Sequence, residues 1–163
     1  MLSGVTWTVD ERRAWAFPPT EGVVDGIDLA VLDPAAPDDR SFLIRCEHLE
    51  FAEALDSGLD EIVVAGQVMN PHLHLTIHEV VANQVWEGDP PEVTETARRL
   101  DRSGYDRHEV FHMIGSVMSE EMWLVMRHHQ QADLGQIKRK LAALPGSWES
   151  QRDRGATKGK GGP

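Results

Sequence analysis

The sequence predicts an all-α fold, and three observations carry that prediction. Helix punctuation recurs along the chain: Asn70-Pro71, Pro90-Pro91 and Asp106 stand where helices start, and Asp56-Ser57-Gly58, Ser103-Gly104 and Pro145-Gly146 where they stop. Between these marks apolar residues repeat at three- and four-residue spacing, the period of a helix face. Strand-like apolar runs are few and short. The expected architecture is a compact single-domain bundle of about five helices. It covers residues 37–146, after an irregular N-terminal segment, 1–36, and before a flexible tail, 147–163.

Asp10 to Trp15 reads as one or two helical turns with Asp10 as N-cap, stopped by Phe17-Pro18-Pro19. Ile27 to Leu32 reads as a short strand or buried extended segment, and Asp33 to Pro37 as a turn. A helix is expected from Asp38, whose carboxylate and that of Asp39 suit the positive end of the helix dipole, to Asp56. Phe42, Cys46 and Leu49 mark its apolar face, and Glu47, Glu50 and Glu53 read as a solvated stripe. Residues 61–69 read as a loop with a short apolar turn at Ile62-Val63-Val64.

The next helix starts at Asn70-Pro71 and runs to Trp86, with His74, His78, Val81 and Val85 on one stripe and Leu73, Ile77 and Val80 beside it. A further helix begins at Pro91 and buries Val93, Ala97 and Leu100. Asp106 caps the one after it, which is apolar almost all round through Val110, Phe111, Met113, Ile114, Val117, Met118, Met122, Trp123 and Val125, so it is expected at the bundle centre. The last helix spans Ala132 to Leu144.

Composition narrows the function. Hydrophobic residues make up 40% of the 163-residue chain, enough for a folded core. A net charge of −11 argues against nucleic-acid binding, which needs lysine and arginine on phosphates, and suits a site that attracts cations. The start of the chain has no basic-then-apolar leader, and no run is long enough to span a membrane. With a single cysteine, Cys46, a cytoplasmic protein is expected. A homo-oligomer is compatible with the sequence, and no small-molecule or protein partner is specified by it.

The chemistry resides in the histidines. His74 and His78 are four residues apart on one helix, and His108 and His112 repeat that spacing on another. Residues at this spacing share a helix face, so both imidazoles of a pair can reach one metal ion. Burying imidazoles is costly unless both ring nitrogens find partners, and a metal satisfies one of them. The expected site is therefore a transition metal held by His74, His78, His108 and His112, the two pairs meeting in space, with His48 as a candidate fifth ligand. Nitrogen ligands without thiolates make zinc the default ahead of iron. Glu50 and Glu120 are expected as outer carboxylates that orient the rings. His72 lies on another face, and His128 and His129 read as surface charges at a helix end.

His108-Glu109-Val110-Phe111-His112 also matches H-E-x-x-H, in which Glu109 would be a general base. A peptidase needs a third ligand close by. Glu120 is about 12 Å further along the same helix, too far to join that ion. Glu109 with His112 likewise makes only one of the two E-x-x-H elements of a di-iron bundle.

Asn70-Pro71-His72-Leu73-His74-Leu75-Thr76-Ile77-His78 resembles the N-P-x-L-H-L-x-x-H signature of an uncharacterised bacterial family, domain of unknown function 1841. The likeness continues through Gln84, Pro90-Pro91 and His108 to His112 and ends near Glu120 and Trp123; upstream, His48-Leu49-Glu50-Phe51 is similar to that family's H-P-E-Y. It covers residues 42–127, and His72 and Glu79 depart from the pattern. The resemblance implies a compact helical protein and no established activity. Three functions stay open: a metal-dependent enzyme with one coordination position free, a closed structural metal site, and a helical adaptor whose histidines bond to Glu50, Glu109 and Glu120.

Overall fold

Asn70 and Pro71 start a helix for the reasons their chemistry supplies: the Asn70 side chain accepts the Leu73 N–H at 2.8 Å, and Pro71 brings a preset φ where no N–H is needed. A computed structural model describes residues 6–64, 66–129 and 131–150 of the chain. They fall into two compact units, one running to Gly88 and the other starting at Asp89. As expected, the fold is predominantly helical, with only two small antiparallel hairpins among the described residues. Among those residues, no helix is long and apolar enough to cross a membrane.

In the first unit, α1 (Val9–Ala16) is capped by Thr8, not by Asp10. Thr8 and Glu11 form a reciprocal capping box, so the signal was a threonine three residues ahead of a glutamate. Ile27 to Leu32 is not one strand. Val23–Val24 (β1) pairs with Ile27–Asp28 (β2) across Asp25-Gly26, and a 3-10 turn, Leu29–Val31, follows. Both turn residues have positive φ, +52° and +79°, the geometry an Asp-Gly hairpin favours. Residues 61–69 are likewise a hairpin, β3 (Ile62–Val64) against β4 (Gln67–Met69).

The helix expected over Asp38 to Asp56 is broken. It comprises α2 (Pro37–Cys46), a 3-10 turn (Leu49–Phe51) and the short α3 (Ala52–Asp56). The unit is organised on α4 (Pro71–Glu87), against which α1, α2 and α3 all pack. Val81, Ala82 and Val85 of α4 meet a core built from Ala16, Leu43, Ile44, Phe51 and Ala54. Trp86 adds a polar seam: Phe17 meets its ring edge-on, and Arg13 and Arg40 lie over it at 4.7 and 5.5 Å. Leu73 and Val80, read as part of a wide apolar face, are exposed; the buried arc of α4 is narrower than the sequence suggests.

Among its described residues the second unit is built on α5 (Pro91–Arg102), α6 (Arg107–His128) and α7 (Leu134–Ala142), each packed on the other two. Val93, Ala97 and Leu100 of α5 are fully buried with Val110, Phe111 and Ile114 of α6 and Leu141 of α7. The expected central position of α6 holds only for its N-terminal half. Beyond Val117 the Glu121 side of the helix stays buried, while Met122, Trp123 and Met126 are exposed. The helix expected over Ala132 to Leu144 is α7, which starts at Leu134 with Asp133 as its cap. Residues 146–150 are helical, and the rest of the segment expected to be a flexible tail, 151–163, lies outside the described residues.

Candidate metal centre

His74 and His78 sit one turn apart in the N-terminal half of α4, as their spacing dictates, with ring centroids 4.4 Å apart and nearly stacked. His78 is 1% exposed; His74, nearer the helix start, is half-buried. The third imidazole comes from the break after α2. His48 is 1% exposed, and its ring meets that of His74 at 5.0 Å and that of His78 at 4.6 Å, edge-on to both. Ligand nitrogens of the three rings lie within 4.8 Å of one another. Phe51, buried, stacks on His48 and meets His74 edge-on, which walls the cluster with an aromatic side chain.

The break in the helix and the orientation of His48 have one cause. In a continuous helix the Ile44 carbonyl would accept the His48 N–H. Here the imidazole takes its place: the His48 ring Nδ1 lies 2.9 Å from the Ile44 oxygen, while the His48 backbone N–H turns to Arg45 in a 3-10 bond. The backbone at His48 leaves the helical region, φ −132° and ψ 49°. The ring is thereby directed inward instead of following the helix path.

Three imidazoles in this arrangement fit a tetrahedral ion. Nitrogens bound at zinc distances stand about 3.4 Å apart, so the rings need close by no more than about 1.4 Å. Cys46, two residues from His48, is a poor competitor: burial, then the neighbouring Asp25 carboxylate, push its thiol above the ordinary range, against the thiolate a metal requires. A small cavity of about 60 Å³ lies beside His48, lined also by Asp25, Phe42 and Cys46. A larger groove of about 410 Å³ between α5 and α7 is less suited to chemistry, because Arg99 there is held by the carbonyls of Leu141 and Leu144 and Lys138 by Glu92.

The other expected site residues are placed as follows. His108 and His112 form the second pair, on the first turns of α6, with centroids 4.4 Å apart. Glu109, expected as base or neighbour, is half-buried in the same turn, its backbone N–H held by Asp106. Glu50 is exposed in the 3-10 turn of the first unit. Glu120 is exposed on α6, and its carboxylate is 3.1 Å from Lys140. His72, His128 and His129 are all exposed, in line with the surface reading of the last two. His48, the candidate fifth ligand of the sequence, is the residue that converts the α4 pair into a cluster; its signal is the likeness of His48-Leu49-Glu50-Phe51 to the family's H-P-E-Y and not any periodicity.

No curated protein and no solved structure matches the chain. A family model described as domain of unknown function (DUF1841) matches residues 43–142. That span leaves out α1 and the β1–β2 hairpin and includes both histidine pairs, His48, Glu50, Glu109 and Glu120. The motifs and the match agree, and the chain belongs to the DUF1841 family.

Proposed function

We propose that this protein binds a transition-metal ion through His48, His74 and His78, zinc ahead of iron. The observation that carries the reading is the convergence of three imidazoles from two separate elements, two of them almost wholly withdrawn from water. Three imidazole nitrogens are enough to anchor a tetrahedral ion. The acidic net charge favours uptake of a cation.

The test is metal analysis of the purified protein with a competitive zinc titration. The expected result is about one equivalent per chain, lost on chelation and not recovered in His48→Ala or His78→Ala. Less than about a tenth of an equivalent of any transition metal, with no zinc response, overturns the reading in favour of a hydrogen-bonded helical module. The sequence also nominated His108 and His112 as ligands. The same titration on His108→Ala and His112→Ala reads their contribution.

A further inference from the structure

The C-terminal half of α6 carries an unpartnered face with a definite pattern. Met122, Trp123 and Met126 are 39%, 53% and 62% exposed, on a helix that is otherwise core-forming. Taking about 100° per residue, Met122, Met126, Ser119, Trp123, Arg127 and Glu120 follow one another around a single arc. The methionines occupy one edge of that arc and Trp123 its middle. Glu120 and Arg127 share the other edge, and Arg127 lies over the Trp123 ring at 5.3 Å. The buried side of the helix, through Val117 and Glu121, is opposite.

We infer that this face binds a second copy of the chain, α6 packing antiparallel on α6 about a two-fold axis near Trp123. The order of residues around the arc selects the arrangement. In an antiparallel pair each edge faces its own counterpart, so methionine meets methionine and the charged edge meets the charged edge. Glu120 of one copy then faces Arg127 of the other, twice by symmetry. A parallel pair would set the charged edge against the methionines. Two chains of net charge −11 repel overall, so a self-surface needs local charges of opposite sign, and this arc supplies them. The inference uses none of the histidines of the first unit and is independent of metal binding there.

Sedimentation velocity on the full chain tests it. The wild type is expected to be a dimer at about 50 µM, and Trp123→Glu a monomer with an unchanged circular dichroism spectrum. Glu120→Arg and Arg127→Glu are each expected to weaken the dimer about tenfold, and the double variant to return within about threefold of wild type. The recovery separates pairing across copies from the Glu120–Lys140 contact within one chain, which the double variant does not restore. A wild type monomeric to about 200 µM, a dimer that survives Trp123→Glu, or a charge swap without recovery overturns the inference. So does a monomer whose α6 face is taken by a different protein.

Discussion

The ring Nδ1 of His48 lies 2.9 Å from the carbonyl oxygen of Ile44. A carbonyl only accepts, so the contact calls for a proton on Nδ1, the tautomer that would present Nε2 to a metal. The same contact accompanies the break in the helix. Zinc at about a hundred times its dissociation constant is therefore expected to stabilise the wild type by about 2.7 kcal/mol, or roughly 5–10 °C in Tm. His48→Phe, which keeps a ring of similar size without nitrogens, is expected to shift by less than about 2 °C under the same zinc concentration. Differential scanning fluorimetry with and without zinc reads the difference.

Arg99 is half-buried and donates two hydrogen bonds at the C-terminal end of α7, to the carbonyl of Leu141 in its last turn at 2.9 Å and to that of Leu144 just beyond it at 2.6 Å. These are charge-assisted bonds from one planar fork, and they join α5 to the end of α7. Arg99→Ala is expected to cost about 2–3 kcal/mol, and Arg99→Lys to recover less than half of it, since a single ammonium does not reproduce the fork. Urea unfolding should show a lower midpoint with an unchanged slope.

Much of the fold was legible because helix ends are written in local chemistry. Asn70-Pro71, Pro91 and Asp106 begin helices where their side chains predict. The features that were missed depend on partners distant from the local pattern. Apolar periodicity carried the reading straight through Glu47 and His48, because nothing in the pattern marks an imidazole that displaces a backbone amide from Ile44. Apolarity alone predicts core along the whole of α6, because it does not say which side of the helix its neighbours cover. The His74–His78 and His108–His112 pairings, each within its own helix, follow from spacing alone. Which third ring would meet the α4 pair depended on the chain path between residues 46 and 52.

Tyr105 is the chain's single tyrosine, so its titration is directly visible in the tyrosinate absorbance. Its hydroxyl donates to Glu149 at 2.6 Å, and that bond, followed by burial and the carboxylate's charge, raises its pKa. The folded value therefore lies above the unfolded value near 10. The contact contributes stability below about pH 10 and loses it as pH rises through the folded pKa. Glu149→Gln is expected to move the titration midpoint down; an unmoved midpoint would show that the contact is not made in solution.

Gly88 ends α4 at φ +74°, and a Cβ there would come within 1.8 Å of the Arg12 guanidinium. The obstacle is the far end of a flexible side chain, which can move. Gly88→Ala is expected to cost about 1–2 kcal/mol, mostly from the left-handed backbone. Adding Arg12→Ala should change that cost by less than about 0.5 kcal/mol, measured as a double-mutant cycle in urea.

The break after α2 has one further consequence. His74 and His78 are neighbours in any helix of that sequence, so an isolated α4 peptide already carries a bidentate chelator. His48 joins them only when the chain between α2 and α4 has taken its path. The candidate ligand set is thus part local and part tertiary. The ratio of affinities between the peptide and the intact chain measures how far ion binding and folding are thermodynamically linked. An ion held by all three rings would act as a reporter of native structure, released as His48 leaves, before the helical pair itself melts.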